Sequence, residues 1–227
     1  MLISHEHRFI FLRTRKTAGT SIGIALSRYC GPDDVITPDS PDDERIREEV
    51  AGPARNYRRP ARLREVRPRD VGAVLKMRRW PQRQLYWNHM PARMIRDHVG
   101  AEVWDGYFKF CFVRNPWDQA VSMHRWAVSQ GNDLTLARCI ERPLPIPNWK
   151  VYTIRDEIAV DFVGRYERIG EDLAEACRRI GVDYDGWMPR AKSSGRPVSY
   201  REAYTPELVE AVRTRHRREI EHFGYEF

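Results

Sequence analysis

The stretch Arg13-Thr14-Arg15-Lys16-Thr17-Ala18-Gly19-Thr20-Ser21 collects cations, hydroxyls and small residues within nine positions. Ala18 and Gly19 let an anion come close to the backbone. Thr17, Thr20 and Ser21 offer hydroxyl donors, and Lys16 and Arg13 offer charge. Such a set holds a phosphate or a related ester. A second set follows about 95 residues later in Arg114-Asn115-Pro116-Trp117-Asp118-Gln119-Ala120-Val121-Ser122. There, Arg114 precedes a capped helix that carries Ser122, which makes another anion pocket from an arginine and a helix N-terminus. Two such pockets on one sheet suit a ligand with two separated phosphates.

The first motif is not the nucleotide-triphosphatase loop G-x-x-x-x-G-K-[ST]. The residue five before Gly19 is Thr14, and Lys16 precedes the glycine instead of following it. No acid ends the second strand-like run, which closes in Val113-Arg114, so Mg²⁺-dependent phosphoryl transfer is disfavoured. Taken alone, the first motif also fits an ordinary glycine turn. The second junction is what argues against that.

These residues need elements to position them. Residues 8–12 read as an apolar strand suited to the middle of a parallel sheet, followed by a helix whose apolar positions are Ile22, Ala25, Leu26 and Tyr29. Gly31-Pro32 stops that helix, and Ser40-Pro41 starts another. A short helix is expected from Pro91 to His98, ended by Gly100. Tyr107–Val113 is the second strand, and Asn115 and Pro116 cap the helix after it. A third strand is expected within Ile158–Tyr166, then a helix near Asp172–Ile180, and a last helix from Thr205-Pro206. The alternation predicts an α/β fold: a single domain over residues 1–227 with a central parallel sheet and helices on both faces.

Composition sets the outer bounds. A hydrophobic share of 41% and 7 Trp in 227 residues describe a folded globule. No run of 18 apolar residues implies a membrane span, and the N-terminal residues lack the pattern of a signal peptide. Cys30, Cys111, Cys139 and Cys177 are scattered and read as thiols in a reducing compartment, so a cytoplasmic protein is expected. The net charge of +7 is concentrated: residues 55–83 hold eleven Lys/Arg and two acids, a balance of +9, which leaves −2 for the rest. An exposed solvated loop and an anion-attracting surface both fit that segment.

Together, FIFLRTRKTAGTS and FVRNPWDQAVSMHRW resemble the 5′-phosphosulfate loop and the 3′-phosphate motif of sulfotransferases that use 3′-phosphoadenosine 5′-phosphosulfate (PAPS). The C-terminal part, KSSGRPVSYREAYTPELVEAV to EIEHFGYEF, resembles the ending of the same group. The likeness covers about residues 8–30, 85–130 and 160–227, and is nearest the branch of bacterial members and carbohydrate sulfotransferases. It implies a P-loop-like sulfotransferase fold, PAPS as co-substrate, 3′,5′-adenosine bisphosphate (PAP) as product, and no metal. Arg13, Lys16 and residues Thr17, Ala18, Gly19, Thr20 and Ser21 would hold the 5′-phosphosulfate, with Lys16 also assisting departure. Arg114 and Ser122 would hold the 3′-phosphate. A histidine in the region of His89 serves as base in that group, which points to His89 here. A late loop closes over the nucleotide there, which extends the expected cofactor site to Lys192, Ser193 and Ser194.

The chain departs from the family at Arg15, where members often have proline, and residues 31–84 hold no motif that can be carried over from it. That stretch is expected to shape the acceptor site. The acceptor is expected to be a small molecule or glycan bearing a hydroxyl. Trp80, Trp87 and Trp104 flank the His89 region, where they fit either sugar stacking or core packing. Two rival readings stay open: an ATP-dependent phosphotransferase, and a non-enzymatic polyanion-binding protein using residues 55–83. The second leaves both phosphate motifs unexplained, and no nucleic-acid-binding motif is apparent, so no nucleic-acid partner is expected.

Overall fold

The computed structural model describes residues 1–68, 70, 80–189 and 199–227. Its frame is a five-stranded sheet formed by β1 (Leu2–Ser4), β2 (Phe9–Phe11), β3 (Val35–Ile36), β6 (Phe108–Val113) and β9 (Phe162–Arg165), in the order β3-β1-β2-β6-β9. β2, β6 and β9 run parallel, as the apolar runs predicted, with Phe11 opposite Phe110 and Cys111 opposite Val163. β1 is antiparallel to both of its neighbours, so the sheet is parallel except for this one strand.

Period-two alternation divides the strand residues between two faces. On one, Ile3, Ile10, Leu12, Cys111 and Val113 pack against α3 (Ala92–Gly106), α4 (Pro116–Ser129), α6 (Asn148–Tyr152) and α8 (Pro206–Arg215) through Ile95, Trp117, Tyr152 and Val212. On the other, Leu2, Phe9, Phe11, Phe110 and Phe112 meet α1 (Gly19–Ser27) and α7 (Ile169–Arg179) through Ile22, Leu26, Leu173 and Cys177. The four phenylalanines are at most 1% exposed, and burying each contributes about 1.5–3 kcal/mol. This double-sided packing holds the two strand ends that carry the anion motifs in fixed register.

Several elements differ from expectation. The helix expected at Pro91–His98 continues to Gly106, with a break at Gly100, whose φ of 81° lies where glycine is favoured. The strand expected within Ile158–Tyr166 is two pieces. β8 (Glu157–Ile158) pairs with β7 (Thr153–Ile154) in a separate hairpin, and only β9 joins the sheet. Asp161 divides them: its carboxylate accepts the Lys109 N–H at 2.7 Å and lies 2.9 Å from Lys109 Nζ. The last helix breaks at His216 into α8 and α9 (Arg217–Phe223).

The basic segment is not plain loop. β4 (Arg58–Pro60) and β5 (Gln82–Gln84) form an antiparallel arm, and its two acids each take an arginine: Arg59–Glu65 and Arg83–Asp70, both at 2.6 Å. Among the described residues the remaining α-helices are α2 (Pro41–Ala51) and α5 (Leu136–Glu141). Among the described residues no helix is long and apolar enough to cross a membrane.

Candidate active site

The loop between β2 and α1 turns on two left-handed residues, Lys16 (φ 60°) and Ala18 (φ 58°). This sharp path brings Gly19 to the first helical position, where the N–H groups of Gly19 and Thr20 meet no backbone carbonyl among the described residues. Helix N-terminal donors left in this way carry partial positive charge.

Several side chains expected to face the ligand are engaged inside the loop instead. Arg13 is buried; its Nη1 lies 2.6 Å from Asp39 Oδ1, and its Nη2 donates to the Thr20 hydroxyl. The Thr17 hydroxyl meets that of Thr14 at 2.8 Å, and Thr14 also donates to the Phe112 carbonyl on β6. The reason is the buried Asp39 carboxylate, which needs a countercharge, and Arg13 is the nearest one. What this part of the loop presents outward is mainly backbone. Lys16 differs: its Nζ sits 5.8 Å from the centre of the half-exposed Trp126 ring.

The loop backbone is clamped from the other face of the sheet. Asn148 accepts the Arg15 N–H at 2.8 Å and donates to the Arg15 carbonyl at 3.1 Å, while Gln119 donates to the same carbonyl at 3.0 Å. Neither residue was singled out from the sequence. Gln119 lies inside the second motif, which is a signal that was available, but Asn148 lies in no motif.

The structure brings the second motif against the first. Arg114, at the end of β6, donates from Nη1 to the Lys16 carbonyl at 2.9 Å and from Nε to Asp118 at 2.7 Å, with its guanidinium 3.9 Å from the Tyr166 ring centre. No described residue takes up its Nη2. Asn115 caps α4 as expected, accepting from Trp117 N–H at 3.1 Å. Asp118 and Ser122 lie one turn apart on that helix, so Ser122 continues the side that Arg114 reaches.

His89 closes the other side. The loop that carries it is pinned by Asn88, which donates to the Pro38 carbonyl and accepts from Thr37, both at 2.7 Å. Met90 behind it is buried. His89 Nδ1 lies 2.9 Å from the Arg13 carbonyl oxygen, which can only accept, so Nδ1 carries the proton and Nε2 keeps its lone pair. Burial, then the charges of Arg15 and Arg13, hold the ring's pKa down to about 3, against the raising effect of that hydrogen bond. His89 is therefore a neutral imidazole at ordinary pH. The β4–β5 arm leads directly into this loop, through Leu85 and Tyr86 N–H bonds to the Tyr57 carbonyl.

Three of the other histidines have local partners. His98 meets the Met94 carbonyl, His124 the Leu134 carbonyl, and His216 pairs with Glu219. Lys192, Ser193 and Ser194 lie outside the described residues. Of the flanking tryptophans, Trp104 is core, whereas Trp80 is 43% exposed on the arm.

The two anion motifs and a neutral histidine thus meet around the adjacent ends of β2 and β6. A sulfotransferase family model matches residues 1–140, and the chain belongs to the sulfotransferase family. It is 35% identical over 100 residues to an uncharacterized protein of Archaeoglobus fulgidus, a match covering 41% of this chain and 83% of that protein. It is also similar to the crystal structure of a sulfotransferase from Alicyclobacillus acidocaldarius, at 17% identity and a TM-score of 0.45, over 97% of this chain and 96% of that one.

Proposed function

We propose that the protein transfers a sulfuryl group from PAPS to a hydroxyl of a small-molecule or glycan acceptor. The donor supplies an activated sulfuryl group on a phosphate leaving group. The residues present fit it: the open N–H groups of Gly19 and Thr20 and the Lys16 charge suit the 5′-phosphosulfate, and Arg114 Nη2 with Ser122 suits the 3′-phosphate. Lys16 offsets the negative charge that grows on the departing phosphate oxygen. The late residues Lys192, Ser193 and Ser194 complete the nucleotide side in this reading.

The observation that carries the proposal is the bond between His89 and the Arg13 carbonyl, 2.9 Å long. It ties the imidazole to the phosphate loop and selects the tautomer whose Nε2 accepts a proton. His89 is thus a base set beside the loop that holds the donor, with its proton-accepting nitrogen left for the acceptor hydroxyl. The arm formed by β4 and β5 adjoins His89 and forms part of the acceptor side.

The test is an acceptor screen with labelled sulfate donor, followed by His89→Ala on the acceptor found. A lost general base costs about 10²–10⁴-fold in rate, and PAP affinity should stay at the wild-type level. Near-wild-type turnover in the variant removes His89 from the base role. Transfer of label from γ-labelled ATP with Mg²⁺, and none from PAPS, removes the donor assignment.

A further inference from the structure

Lys16 is tied to one helix at both its backbone and its ammonium. Its main chain sits at φ 60°, and its carbonyl accepts from Arg114 Nη1 at 2.9 Å. Asp118 on α4 holds the same guanidinium, at 2.7 Å from Nε. At the other end the Lys16 ammonium faces the Trp126 ring, 5.8 Å from its centre. Asp118, Ser122 and Trp126 follow one another at four-residue spacing, so they run along one side of α4. Ser122, which suits the 3′-phosphate, lies between the two ties.

Trp126 does a different job from the other tryptophan of this helix. Trp117 is 1% exposed and belongs to the core, whereas Trp126 is 44% exposed. The face of its ring lies within the range in which an ammonium is attracted to the indole. Lysine has a flexible four-carbon stem and loses rotamer freedom when it grips an anion. A lysine already resting on a ring loses less. Its ammonium has three N–H donors, so it can stay over the ring and still donate to phosphate oxygens.

We infer that Trp126 is a positioning residue for Lys16, its indole face holding the ammonium ready for the 5′-phosphate end of the donor. This rests on the PAPS reading given above. One side of α4 then serves both ends of the nucleotide: Arg114 and Ser122 at the 3′-phosphate, Trp126 through Lys16 at the 5′ end.

A double-mutant cycle tests this without an acceptor. PAP is titrated calorimetrically into wild type, Trp126→Leu, Trp126→Phe, Lys16→Met and Lys16→Met/Trp126→Leu, with thermal melts to check folding. Leucine keeps apolar bulk and removes the ring, phenylalanine keeps a ring, and methionine keeps the lysine stem without its charge. Trp126→Leu is expected to weaken PAP binding by about twofold to fivefold, and Trp126→Phe to recover most of that. In the Lys16→Met background Trp126→Leu should change nothing further. Trp126→Gln replaces the leucine variant if that one does not fold. The same loss in both backgrounds, no loss in Trp126→Leu, or phenylalanine no better than leucine overturns the positioning role and leaves the donor reading standing. Wild-type PAP affinity in Lys16→Met removes Lys16 from the 5′ end and this inference with it, while the Arg114 assignment stands. Wild type that does not bind PAP overturns the donor reading itself.

Discussion

Gly19→Ala sets two physical effects against each other in the phosphate loop. Alanine is the better helix former, by up to about 1 kcal/mol in a helix interior, and propensity alone predicts a more stable protein. Packing predicts the reverse. A Cβ at Gly19 would stand 2.7 Å from Arg13 Cγ, 3.1 Å from its Nε and 3.3 Å from its Cδ. The arginine cannot swing aside cheaply, because it is 8% exposed and its guanidinium is bound to Asp39 at 2.6 Å. Overpacking of this kind costs about 1–3 kcal/mol. At the first helical turn the propensity gain is smaller than in the interior, so a net loss of about 1–2 kcal/mol is expected. For a chain of this size that lowers Tm by about 2–8 °C. The assay is a double-mutant cycle with Arg13→Ala, read by thermal and denaturant melts. With the arginine stem removed, Gly19→Ala should become neutral or stabilising. If it costs as much in the Arg13→Ala background as in wild type, the contact is not the reason for glycine at this position.

Asn148→Ala should destabilise more than Gln119→Ala. It strands the Arg15 N–H, at about 1–3 kcal/mol, while the Arg15 carbonyl keeps one donor in either variant. Equal melting temperatures for the two would contradict the clamp. His89 also makes stability depend on pH. Its folded pKa, about 3, lies below the unfolded histidine value, so the unfolded chain binds more protons between the two. The stability His89 contributes is fully present above about pH 6.5 and is lost as pH falls toward about 3. His89→Gln should therefore lose less stability than wild type between pH 7 and pH 5, and identical losses would show that the folded ring titrates normally.

Much of the sheet was readable because β2 and β6 are buried on both faces and appear as unbroken apolar runs. β1, β3 and the β4–β5 arm were not readable. They span two or three residues each, and the arm's strands carry arginine, glutamine and proline on an exposed edge. The Ile158–Tyr166 run looked like one strand because Asp161 acts through its neighbour Lys109, 52 positions away, and nothing local marks such a partner. In the site, spacing and residue type pointed to Lys16, Gly19, Arg114 and Ser122. They did not reveal that Asp39 draws Arg13 and the Thr20 hydroxyl inward, because a buried acid in a connecting segment looks like any surface acid until its surroundings are known. Asn148 was equally hidden: it grips backbone, and backbone contacts leave no preference at the residue they hold.

The central claim is that the strand ends of β2 and β6 build one site for a nucleotide phosphorylated at both ends of its ribose. Calorimetric titration of wild type and Arg114→Ala with PAP and with AMP tests it without needing the acceptor. Wild type should bind PAP more tightly than AMP by about 10–150-fold, the range for charge-assisted hydrogen bonds of about 1.5–3 kcal/mol. Arg114→Ala should bring the two affinities together by weakening PAP. Equal affinities for PAP and AMP in wild type, or a PAP preference that survives the loss of Arg114, would contradict the account.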